Sequence, residues 1–129
     1  MKKSLIHHAL KTAIDHIEKH AQYKFYLHYT FIVQDNRIVE WGTNTSQEPK
    51  KHFGYHSRVA CPKMHAEIEA YKKAKGLLGK KPFEAINIRL TRSGDCRMSK
   101  PCKCCHSILR ELGCSKFWYS SEIGFMVTK

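Results

Sequence analysis

Apolar residues at Leu5, Ile6, Ala9, Leu10, Ala13, Ile14, Ile17 and Ala21 recur at helical spacing, with Lys11, Asp15, His16 and Lys19 between them. That pattern predicts an amphipathic helix laid over a core. Phe25 to Val33 is aromatic and β-branched and predicts a strand. Asp35-Asn36-Arg37 is a turn, and Ile38 to Thr43 a second strand, so the two form a hairpin. His65 to about Lys75 is a helix with Ile68, Ala70, Tyr71 and Ala74 packing inward, and Gly76, Gly79 and Pro82 end it. Glu84 to Arg92 alternates Ile86, Ile88 and Leu90 as a strand, and Ser93-Gly94-Asp95 turns the chain. A helix opens at Pro101, runs to about Leu112 and is capped by Gly113. Lys116 to Ser120 is a strand, and only Ser121 to Gly124 separates it from Phe125-Met126-Val127. A parallel crossover needs roughly a dozen residues, so the last two strands should be antiparallel. The order helix, hairpin, helix, strand, helix, strand, strand predicts an α/β fold with a mixed five-stranded sheet.

Two stretches on this frame carry chemistry: Met64-His65-Ala66-Glu67, and Ser99-Lys100-Pro101-Cys102-Lys103-Cys104-Cys105. The pattern H-x-E…P-C-x-x-C is the signature of zinc deaminases. On these motifs the chain resembles the cytidine deaminase-like superfamily of zinc hydrolytic deaminases. The resemblance extends along nearly the whole chain in the order of elements, but only the two motifs are specific.

The resemblance implies a single-domain, three-layer sandwich with helices on both faces of the sheet. It implies one zinc ion per chain, held by His65, Cys102 and Cys105 with the fourth position open, as at catalytic zinc sites. It gives Glu67 the proton-transfer role in hydrolytic deamination of an amino-substituted base, with release of ammonia. Asn44, after the second strand, would hold the substrate sugar, and main-chain groups of Ala66, Ser99 and Pro101 would orient the base. The implied substrate is a cytosine-containing nucleoside or nucleotide, and family members generally assemble as homo-oligomers. Within the superfamily, an antiparallel final pair resembles the free-nucleoside branch. The Ser93–Ser99 insertion before the proline-cysteine motif departs from many members, which run into that motif more directly.

The spacing also makes physical sense by itself. His65 and Glu67 are two apart and would point to nearly opposite faces in mid-helix, but they can share a site at a helix's first turn. Cys102 and Cys105 are three apart and lie on one face, where a helix N-terminus favours thiolate over thiol. Two helices would therefore point their N-termini at one ion.

Other assignments compete. Asn44 can equally be a turn residue bonding its own backbone. Thr45 to Met64 is a long connection in which Lys50, Lys51, His52, Phe53, Tyr55, His56, Arg58 and Lys63 interleave basic and aromatic residues. That mixture suits a base and a phosphate together, and it also suits an ordinary polar loop. His16 and His20, one turn apart, read as a solvent-facing pair. Cys61 or Cys104 as a fourth ligand would make the zinc structural and the protein a non-catalytic zinc module, but a structural site has no need of Glu67.

Length and charge add limits. The chain has 129 residues, enough for one domain spanning 1–129. It shows no signal-peptide pattern and no apolar run long enough to span a membrane. Cys61, Cys96, Cys104 and Cys114 show no disulfide framework, which points to a reducing compartment and a cytoplasmic protein. The formal net charge of +12 suits anionic partners, and equally a solvated basic face. Single-stranded DNA or RNA is accordingly the alternative substrate.

Overall fold

The computed structural model describes residues 3–20, 26–43, 66–91, 93–101 and 103–128. The elements are α1 (Lys3–His20), β1 (Tyr26–Gln34), β2 (Arg37–Thr43), α2 (Ala66–Leu78), β3 (Phe83–Thr91), β4 (Cys96–Arg97), α3 (Lys103–Glu111), β5 (Cys114–Ser121) and β6 (Gly124–Thr128). The strands form one mixed sheet in the order β2-β1-β3-β5-β6, with the two-residue β4 paired to β3. β3 and β5 are parallel, and every other pair is antiparallel. The five main strands and the antiparallel final pair agree with the sequence. β4 is additional, and it lies within the Ser93–Ser99 segment.

Alternation along the strands sends side chains to two cores. Phe31, Val33, Ile86, Ile88 and Leu90 meet Ala9, Ala13 and Ile17 of α1 on one face. Ile32, Ala85 and Phe117 meet Ala70, Ala74 and Leu109 of α2 and α3 on the other. Because helices cover both faces, the central strand β3 is buried on both of its sides. Asp35 and Asn36, at φ 53° and 59°, make the tight turn of the β1–β2 hairpin. Gly113, at φ 111°, ends α3 in the left-handed region that a side chain disfavours.

His16 departs from the sequence expectation. Its Nδ1 lies 2.7 Å from the Tyr29 hydroxyl, and its ring sits edge-on to those of Tyr29 and Trp41. It is a half-buried packing residue, because the apolar stripe of α1 is wide enough to draw in its neighbour. No helix among the described residues is long and apolar enough to cross a membrane.

Candidate active site

The parallel pairing of β3 with β5 runs from Phe83 to Asn87, and from Arg89 the partner of β3 is β4. The sheet therefore opens beyond Asn87, at the carboxyl end of its parallel pair, which is where open α/β sheets take ligands. α2 and α3 start at this end of the molecule. Ile68 packs with Cys104, Cys105 and Ile108, so the first turns of the two helices abut. That contact brings the two sequence motifs together through residues adjoining Glu67 on one side and Cys105 on the other.

Glu67 is 7 % exposed and Cys105 is fully buried. Ala66 and Pro101 are also buried. Glu67 and Glu69 lie in the first turn of α2, where the helix dipole favours negative charge. Asn44, His65 and Cys102, together with the Thr45–Met64 connection, lie outside the described residues. Cys104 is disulfide-bonded, so the expectation of no disulfide framework does not hold for this residue. Spacing along the chain did not reveal that bond because it depends on which cysteines the fold brings together.

Behind Glu67 lies a buried polar network that the sequence did not signal. Asn87 Nδ2 donates to Glu67 Oε2 and to the Ser99 carbonyl, each at 3.3 Å. Asn87 Oδ1 accepts from the Thr30 hydroxyl at 2.8 Å, across the β1–β3 pair in which Thr30 stands opposite Asn87. The Ser99 hydroxyl donates to the Asn87 carbonyl and accepts from the Ser120 N–H, both at 2.8 Å. Ser99 N–H donates to the Ser120 carbonyl at 3.0 Å. The Ser120 hydroxyl in turn donates to the Arg97 carbonyl at 2.8 Å and accepts from the Arg89 N–H at 3.0 Å. Buried polar groups need such partners, and the serines supply them where β5 parts from β3. Ser99 thus has its hydroxyl and N–H committed inside the protein.

The strand that precedes Asn44 is held against α2 as well. Lys73 Nζ donates to the Trp41 carbonyl at 3.2 Å and lies 3.8 Å from Glu69 Oε1, which accepts from the Thr43 N–H at 3.4 Å. Beside the cysteine motif, Lys100, Pro101, Lys103, His106, Ser107 and Thr128 line a cleft of about 340 Å³. Its basic side chains suit an anionic group.

No protein-family model matches the sequence, and no curated protein matches it either. Among solved structures, the chain is similar to the crystal structure of cytidine deaminase from Mycobacterium leprae, with a TM-score of 0.55 and 19% identity over 92% of this chain and 89% of that one. At that identity the likeness establishes the fold alone: the chain has an α/β fold like that of cytidine deaminase.

Proposed function

We propose that the protein is a zinc-dependent hydrolytic deaminase of a small cytosine-containing nucleoside or nucleotide. The observation that carries this reading is the buried carboxylate of Glu67 at the start of α2, beside the abutting first turn of α3 that holds Cys105. Buried charges are otherwise costly and are found paired or next to metals. The similarity in fold to a cytidine deaminase supports the same reading.

The donors fit zinc. Cys105 is buried in the first turn of a helix, and a set of cysteine sulfurs and imidazole selects this metal. His65, Cys102 and Cys105 would hold it. Zinc there would supply the Lewis acidity that makes water a nucleophile near neutral pH. Glu67 takes the proton of the attacking water, delivers it to the ring nitrogen and later helps protonate the departing ammonia. A carboxylate suits this because it acts as both base and acid in one turnover. Ala66 N–H, the Pro101 segment and the Ser99 carbonyl edge orient the base, and Asn44 holds the sugar. The basic cleft at Lys100 and Lys103 supports a substrate that carries phosphate.

The test is ammonia release from a panel of nucleosides, nucleotides and single-stranded oligonucleotides. A cytosine monomer should be turned over, and Glu67→Gln should lower kcat about 10²–10⁴-fold while keeping fold and zinc. A substantially active Glu67→Gln protein would sink the mechanism.

A further inference from the structure

Asn87 is 3 % exposed at the centre of a strand covered on both faces. Its amide spans three elements of the fold: β1 through Thr30, α2 through Glu67, and the segment leading to Pro101 through Ser99. The orientation of that amide is forced by its partners. A backbone carbonyl only accepts hydrogen bonds, so the NH₂ group must face Ser99, and Glu67 Oε2 lies on that same side. The Thr30 hydroxyl then supplies the proton that Oδ1 accepts. An aspartate here would set a second acceptor against Glu67, and a leucine would leave Thr30 and the Ser99 carbonyl without this partner.

We infer that Asn87 is the positioning residue for Glu67: it ties Glu67 Oε2 to the Ser99 carbonyl and so holds the proton-transferring carboxylate in register with the cysteine motif. The assignment rests on the deaminase reading. The Asn87 amide anchors Oε2 of that carboxylate. Ser99 is fixed in its turn by Ser120, so the anchor is the sheet itself and not a mobile side chain. The β3–β4 hairpin before the cysteine motif has a use in this arrangement. It returns the chain so that Ser99 lies against both Asn87 and Ser120.

The test compares Asn87→Ala and Asn87→Leu with the wild type, with kcat expressed per bound zinc so that unfolded protein does not count. Loss of a partner that orients a group beside a metal typically costs about 10–100-fold in activity. The expected result is a fall in kcat of that size with KM nearly unchanged and zinc still bound. A role confined to stability would lower the unfolding midpoint and the yield but leave kcat per zinc intact, and that outcome overturns the inference.

A second measurement needs no turnover. In a stability cycle, the Asn87→Ala/Glu67→Ala double variant should lose less than the sum of the two single variants, because either change already breaks the bond they share. Fully additive losses would mean that the two residues do not interact, and would overturn the assignment at its geometric base. Coupled losses in a wild-type protein inactive on the whole panel would reject the deaminase reading, and with it the positioning role.

Discussion

A Cβ placed on Gly42 would lie 2.6 Å from the backbone nitrogen of Ala70. The second strand and α2 therefore touch backbone to backbone, and Glu69 Cβ and Ala70 Cα are within 3.1 Å of the same point. None of these atoms belongs to a flexible side-chain tip, so none can swing aside. The contact sets the last residues of β2 against the first turn of α2, where Glu67 begins the site.

Gly42→Ala should accordingly push α2 off the sheet. Forcing an extra methyl into a packed interface typically costs about 1–3 kcal/mol. Chemical denaturation should show an unfolding free energy lowered by that amount, with a correspondingly lower midpoint, and turnover should fall with it because Glu67 moves with the helix. An unchanged midpoint would mean that the approach of strand and helix is looser than described.

The metal assignment makes a separate demand. Purified protein should carry one zinc per chain, and Cys105→Ala should lose it along with much of its stability, since ligand binding contributes to folding free energy. The same holds for Cys102→Ala. Elemental analysis showing full zinc in either variant would refute the ligand set.

Much of this was readable from the chain. Apolar spacing placed α1, the β1–β2 hairpin and the antiparallel final pair, because each follows from local periodicity and connection length. Asn87 was not readable. Between Ile86 and Ile88 it looks like the solvent side of an ordinary alternating strand. The signal was indirect: helices on both faces leave β3 with no solvent side, so a polar residue at its centre must be buried and bonded. The bond between His16 and Tyr29 was hidden for a similar reason, since it joins residues far apart in sequence.

Cys114 gives a pH-dependent prediction. Burial pushes its thiol up to about 12, against a partial opposing effect of hydrogen bonding at Lys116. A raised pKa means that the folded protein keeps the proton after the unfolded chain has released it. Its contribution is therefore fully present below about pH 9 and is lost as pH rises towards 12. Cys114→Ala should flatten part of the alkaline decline in stability over that window. An identical decline in wild type and variant would show that the thiol is not the titrating group.

Two features bear differently on substrate size. On the proposed deaminase reading, the antiparallel β5–β6 pair, joined by a connection too short for a helix, favours a free, nucleoside-sized substrate, whereas the +12 charge and the Lys100–Lys103 cleft favour phosphate. Charge is the weaker witness, because a basic surface also serves solubility. A small phosphorylated cytosine substrate satisfies both features. Salt separates it from a polymer, since each phosphate neutralised on a single strand steepens the fall of log K with log salt by about 0.7, and a mononucleotide has few to lose. The expected result is a shallow salt dependence of KM for the mononucleotide. Cytosine in a single-stranded oligonucleotide deaminated faster than every monomer at physiological salt would overturn that choice. Loss of this activity in a Lys50/Lys51/Arg58 triple alanine variant would then assign strand binding to the connection that leads into His65.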